Sequence, residues 1–409
     1  MCRSLQNAAR SLITAALLAA PALSAADAIT LELDAGNSDR VETPVRWQLP
    51  PDLDASGDWK LTRAEDGKEV ALQIDRGKSP AAIWILEERL PARTTRRYHL
   101  EIGRSWSFAD RVTCHDVSPK HLLVRVAARD VLTYNYGTIQ PPAKVEPVFA
   151  RSGYIHPIYA PSGELISDDF PLNHKHHHGL WMPWSQTVFE GRPTNFWEQA
   201  REEGKVECVG VDEKIGGSVF GGFRVRHRFT ALKAAGGPKP VLDETWEVTV
   251  YSPDRYFLVD FTSVEKCAGA SSLTLKEYRY GGFGFRGAAE WEGEKGVEYL
   301  TSEGKTRLDG HATRARWCDM YGKVKGKMVG IAFFCHPENF RAPQGMRIHP
   351  SEPFFNFAPC QGGDFDLQPG KELVSRYRLY LHEGPADRPE LERLWNDYAE
   401  PPVVRRLEK

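Results

Sequence analysis

Cysteine is scarce in this chain and never occurs as Cys-x-x-Cys, which excludes zinc ribbons and thioredoxin-like redox motifs. Of the seven cysteines in 409 residues, Cys2 lies in the leading segment. The others, Cys114, Cys208, Cys267, Cys318, Cys335 and Cys360, are widely spaced. An oxidising compartment permits bridges among them, and buried free thiols fit the spacing equally well. A charge excess is also missing. Lysine and arginine number 53 against 55 aspartates and glutamates, a net charge of -2. Dispersed in this way, the charges give no footprint for nucleic acid or an anionic membrane surface. There is no Gly-x-Ser-x-Gly elbow, His-Glu-x-x-His helix, P-loop or EF-hand loop, so the easily read hydrolases, zincins and calcium loops are excluded. No repeat of fixed period and no low-complexity tract is present.

Only one long apolar run occurs, from Leu12 to Leu23, with Arg3 and Arg10 before it and Leu23-Ser24-Ala25 at its end. It is too short and wrongly flanked to span a bilayer and reads as a secretory signal peptide over residues 1–26. The mature chain is then expected to begin near Ala26 or Asp27, in the periplasm or outside the cell. No cysteine stands in lipobox position. No later run approaches about 18 apolar residues, so membrane insertion is not expected.

What is abundant is period-two alternation. In "FRVRHRFT", Phe223, Val225, His227 and Phe229 share one face, against Arg224, Arg226, Arg228 and Thr230. Trp246, Val248 and Val250 alternate likewise in "TWEVTVY", and after the turn Ser252-Pro253-Asp254 so does "YFLVDFTSV". Runs joined by short Pro/Asp turns, with no helices between them, predict antiparallel neighbours in an all-β sandwich. Shorter strands ("ITLELDAG", "AIWILEE", "RRYHLEIG") mark a small N-terminal β unit over 27–111, with "SWSFADR" as the link to a larger domain over 112–388. One helix is expected within a C-terminal segment, 389–409. Asp387 caps it, Pro389 and Glu390 stand in its first turn, and Leu391, Leu394, Trp395 and Tyr398 form its apolar stripe.

The densest chemistry is "PLNHKHHHGLWMPW", residues 171–184, with four histidines in five positions. Pro171 and Asn173 interrupt regular structure, so the histidines lie on a loop or at a strand start. If extended, His174, His176 and His178 project to one side and Lys175 with His177 to the other. Two chemistries fit. His174 and His176 can chelate one divalent metal, completed by His177, His336 or a carboxylate such as Asp168 or Asp169. Alternatively, neutral histidines beside a carboxylate can exchange protons with a sugar hydroxyl. Trp181 and Trp197 are candidate platforms for a sugar ring. His336 and His156 stand before prolines and are placed to face a cleft, with Asn339 and Asp319 in the same stretch as His336. His349 is a third such pair. His227, on an apolar face, reads as a satisfied core histidine.

The runs "HPIYAPSGELISDDFPLNHKHHHGLW", "LKEYRYGGFGFR" and "WCDMYGKVKGKMVGIAFFCHPENFR" together resemble a secreted bacterial family of unknown function often labelled "methane oxygenase PmoA". The resemblance covers residues 113–385. It implies a galactose-mutarotase-like supersandwich, a large two-sheet antiparallel fold, here with the small N-terminal unit and the C-terminal helix attached. His174, His176, His177, Gly179 and Trp181 match its Asp-His-Pro-His-His-Arg/Lys-Gly-Leu-Trp pattern, while Asn173, Lys175 and His178 depart from it. Glu277 and Arg286 fall in its Lys-Glu-Gly-Gly-Phe-Gly-x-Arg stretch, with Tyr278–Tyr280 inserted. The strand glycines there are expected to admit a ligand or a neighbouring backbone.

The leading expectation is thus an exported carbohydrate-active enzyme, an epimerase, lyase or hydrolase. Glu277 or a nearby carboxylate would be the base, one of His174, His176 and His177 the acid, with His336 and Asp319 as further catalytic candidates. Trp181, Trp197, Arg286, His156 and Asn339 would hold the sugar or another small molecule. The alternatives are a histidine-ligated metalloenzyme, an oxygenase included, and a non-catalytic glycan-binding protein. The acids Asp168, Asp169, Glu198, Glu277 and Asp319 are all candidates for glycoside chemistry, which depends on their separation.

Overall fold

The computed structural model describes residues 28–102, 108–251 and 253–408. The expected signal peptide lies outside the described residues, as do residues 105–107 of the expected link. Two β units follow one another along the chain. In the first, Ile29, Leu31 and Leu33 point inward from Ile29–Asp34 while Thr30, Glu32 and Asp34 point outward, as period-two alternation requires. That strand joins Thr95–Ile102, Trp59–Arg63 and Glu69–Val70 in one sheet. A three-stranded sheet of Thr43–Gln48, Ala81–Leu86 and Leu72–Asp75 faces it, and Val45, Trp84 and Leu100 pack between them. The last strand of the chain, Val403–Leu407, returns to pair with Ile29–Asp34 and closes this unit from the far terminus.

The larger unit stacks two eight-stranded sheets. Phe220–Ala231, Lys239–Tyr251 and Phe257–Cys267 run antiparallel in sequence order, with Val225 opposite Trp246 and Val248 opposite Phe261. Their buried alternate residues meet Val124, Leu180, Phe285 and Phe355 of the other sheet in one continuous core. Each such side chain contributes about 2 kcal/mol on burial, against ~0–1 kcal/mol for exposed pairs such as Arg226–Asp212, so the apolar faces decide the register. His227 is a satisfied core histidine, with Nε2 2.6 Å from the Tyr134 hydroxyl and Nδ1 2.9 Å from Glu244. All six described cysteines are free.

The helix forms over Arg388–Ala399, and the Asp387 carboxylate accepts from the Glu390 backbone N–H. Leu391 and Leu394 pack on Trp317 and Phe334 of the large unit. Its Asp397 faces the small unit, where it accepts from Arg40 Nη1 and Thr43 Oγ1, both at 2.9 Å. The helix therefore pins one unit to the other. Asp397→Ala would leave the Arg40 guanidinium buried without its carboxylate, and urea unfolding should register a loss of about 3 kcal/mol. A loss under ~1 kcal/mol would show that the pin is dispensable.

Candidate functional site

The histidine stretch is not a strand. His174 N–H donates to Pro171 O at 3.0 Å and His177 N–H to His174 O at 2.8 Å, so the chain makes two successive tight turns. Turns gather side chains that an extended chain would alternate, which overturns the expected division between two faces. The rings of His174, His176 and His177 lie 4.7–5.7 Å apart. His178 turns the other way into the interior, between Tyr154 and Phe170, and its Nδ1 donates to Asp169 at 2.6 Å. Gly179 then passes so close to the Tyr154–Ile158 strand that an added Cβ would stand 2.3 Å from Ile155 O. Only glycine fits there.

Sheet order brings distant segments to this loop. Leu180–Trp181 pairs with Gly284–Arg286, which pairs with Phe354–Phe357, which pairs with Met346–Ile348. Arg286 is wholly buried under the histidines. Its guanidinium donates to Glu352 at 2.9 Å, to Asn173 at 3.3 Å and to Glu292, and lies 3.5 Å from His177 Nδ1. Glu352 Oε2 in turn stands 2.9 Å from His174 Nδ1. That nitrogen is buried and out of hydrogen-bond alignment with any partner. One ligand atom each from His174, His177 and Glu352 falls within 4.8 Å of the others.

Above these groups opens a pocket of ≈ 200 Å³. His176, Glu198, Tyr280, His349 and Phe354 line it, together with Arg279 and Arg347. Burial, reinforced by the neighbouring His174, lowers His176 to about 4. Burial likewise lowers His349 to about 4 against the pull of Glu352, and lowers His177 well below its ordinary value. Glu352 moves the same way. Burial would raise it, but His174, His349 and Arg286 outweigh burial and hold it at about 2. His349 Nδ1 accepts from the Glu352 and Ser351 backbone N–H groups, which turns its other nitrogen free. Glu198 accepts from the Tyr280 hydroxyl at 2.9 Å and from Arg201 at 2.6 Å. A wider groove elsewhere, beside Asp75 and Arg224, has its central charges spent on each other as ion pairs.

Several residues expected at the site are elsewhere. Glu277 is exposed on a loop, its backbone N–H held by Asp364, so it is not the base of this pocket. Asp319 is buried in the sandwich against His382 at 3.1 Å. His336 sits under Tyr398 of the helix, and Asn339 clips the Arg376 backbone through two 2.7 Å hydrogen bonds. His156 bonds Ser167 at 2.9 Å beside the site rather than in it. Trp181 and Trp197 are fully buried 4.9 Å apart under His177 and form the floor, so neither presents a face to a sugar. Gly284 admits the Trp197 ring rather than a ligand, since a Cβ would meet it at 2.9 Å. In the triad that converges, His177 and Glu352 replace His176 as partners of His174. Glu352 is the residue sequence reading missed; its only signal was its place three residues after His349, just past the His349-Pro350 pair. Arg279, Tyr280 and Arg347 were missed as well, the first two within the insertion after Glu277.

A model of a family of unknown function, DUF6807, matches residues 121–396, and the chain belongs to that family. Its description names no activity, so the methane-oxygenase label does not come with it. No curated protein matches. Among solved structures, a galactose mutarotase-related enzyme from Lactobacillus acidophilus is similar with a TM-score of 0.28 at 9% identity, over 67% of this chain and 97% of that one. The heparan sulfate lyase HepC from Pedobacter heparinus gives 0.26 at 10% identity, over 70% of this chain and 38% of the lyase. Neither lends a residue role to this site.

The Asp319–His382 pair separates structural from catalytic duty. Burial lowers His382, but the Asp319 carboxylate outweighs it, so its pKa is raised. The pair's stabilisation is then complete below the ordinary histidine value of about 6.5 and fades as pH rises through the raised value. Asp319→Asn should lower stability most at acid pH, with the gap to wild type narrowing in alkali, in urea unfolding at about pH 5.5 and 8.5. A constant gap would refute the coupling.

Proposed function

We propose that this member of the family is an enzyme built around one divalent metal ion held by His174, His177 and Glu352. Its substrate on this reading is a hydroxyl-rich, carbohydrate-type molecule of about one ring. The observation that carries the proposal is the convergence of two imidazole nitrogens and a carboxylate oxygen beneath an open pocket. Ligand atoms bound at about 2.1 Å to one ion lie some 3–4 Å from one another, and the three donor atoms here lie within 4.8 Å of one another. A 2.9 Å approach of His174 Nδ1 to Glu352 without hydrogen-bond alignment fits two groups aimed at a shared third point. Two of the three donors are also in the form a metal needs, since Glu352 is ionised and His177 unprotonated at neutral pH. Arg286 and its hydrogen bond to Glu352 supply the outer support that orients a ligating carboxylate.

A histidine/carboxylate acid–base pair alone is less favoured. An acid catalyst must carry its proton near the working pH, and His176, His177 and His349 are all shifted to lose it. When bound, the ion supplies Lewis acidity toward a substrate oxygen. The chain's own part is to seat the substrate between Phe354 and Tyr280 and to offer His176 and Glu198 as acceptors for its hydroxyls. The small pocket supports a substrate of single-ring size. Export to the periplasm or beyond belongs to the same proposal and rests on residues 1–26.

Metal analysis of untagged protein is expected to give about one divalent ion per chain. His174→Ala, His177→Ala and Glu352→Gln should each lower occupancy at least tenfold, while His176→Ala keeps it. Occupancy below ~0.1 in the wild type after metal supplementation would end this reading. The ion found also separates Lewis-acid chemistry (zinc, magnesium, manganese) from oxygenase chemistry (iron, copper). Mass analysis of native protein should place the mature amino terminus at Ala26 or Asp27.

A further inference from the structure

We infer that the substrate of this pocket carries a carboxylate, received by Arg279 and Arg347. The inference rests on the reading of the pocket as the substrate site but not on the metal. Arg286 and Arg201, nearby, both have carboxylate partners. Arg279 and Arg347 line the same pocket and have none among the described residues. Arg347 is partly buried and donates only to His311 Nε2 at 3.3 Å. Arg279 lies 5.8 and 5.6 Å from the ring centroids of Tyr278 and Tyr280, contacts that position a guanidinium without neutralising it.

Arg279 is exposed and Arg347 partly buried on the same pocket lining, and like charges there disfavour each other. Burial and then Arg279 push the Arg347 guanidinium below its usual pKa, outweighing the opposing pull of Glu352. The concentration is local, because the chain as a whole carries a net charge of -2. Glu198 and Glu352, the two carboxylates near the pocket, are committed to Tyr280 with Arg201 and to Arg286. An incoming carboxylate meets the unspent pair, and its planar oxygens match the guanidinium fork. Hydroxyls on the same molecule face His176 and His349, and the His349 nitrogen not taken by the Ser351 and Glu352 backbone is left as an N–H donor toward them. A uronic acid or another hydroxy-carboxylate of one ring's size has both features.

Isothermal titration of the mature chain at low ionic strength with D-glucuronate, D-galacturonate, D-glucose and D-galactose tests this. At least one uronate is expected to bind about tenfold or more tightly than its neutral counterpart, with affinity falling as salt is added. Arg279→Gln and Arg347→Gln should each cost about tenfold for the uronate and leave neutral-sugar binding alone. Both residues line the pocket, and unchanged thermal melts will verify folding. Equal binding of charged and neutral sugars, binding of none of the four, or uronate affinity that survives the double variant would overturn the inference. Metal content is measured on the same samples. Metal-free protein that still prefers uronates sinks the metal reading alone, and metal-loaded protein without the preference sinks the carboxylate alone.

Discussion

The candidate site depends on one buried cation. Arg286 is withdrawn completely from water, and a guanidinium so placed is tolerated only with anionic and hydrogen-bonding partners around it. Those partners come from separate parts of the chain: Asn173 from the histidine loop, Glu292 from the short turn after the Arg286 strand, and Glu352 from the loop before Phe354. By demanding all three, Arg286 fixes the histidine turns against the 349–354 segment. The geometry of His174 and Glu352 follows from that demand together with the attraction between the two groups.

Desolvation is the second consequence. Packing His177 onto Trp181, Trp197 and Phe354 removes water from its imidazole and disfavours the charged form. Trp181 and Trp197 act on the chemistry from below, by disfavouring the charged form of His177, instead of by touching a substrate. His178 differs although it is adjacent in sequence. It is locked to Asp169, which the Tyr154 hydroxyl also bonds at 2.7 Å, and so serves as an anchor for the loop.

Much of the fold was legible because its determinants are local. Alternation in Phe223–Thr230 and Trp246–Val250 reports directly which side chains face the core, and the Asp387 cap with the Leu391/Leu394 stripe reports the helix. The pairing of Val403–Leu407 with Ile29–Asp34 was not legible, since those strands stand at opposite ends of the chain. The histidine cluster was legible as a cluster, and Arg286 as a residue of interest. Glu277 was misplaced because its neighbours in sequence carry the strand away from it, and Glu352 was overlooked because a lone glutamate in a Pro-rich loop has no signal until the sheet brings it under His174.

The sequence by itself therefore determined an all-β chain, the inward and outward faces of its long strands, the closing helix and a focus of chemistry at residues 174–178. Those follow from periodicity, capping and composition, each readable within one turn or strand. Only the tertiary structure decided which histidines converge, which carboxylate they meet and which arginines remain unpaired. Strand order sets those facts, and strand order is settled by burial of apolar faces across the whole sandwich. Residues 174, 286 and 352 become neighbours only after that core has formed.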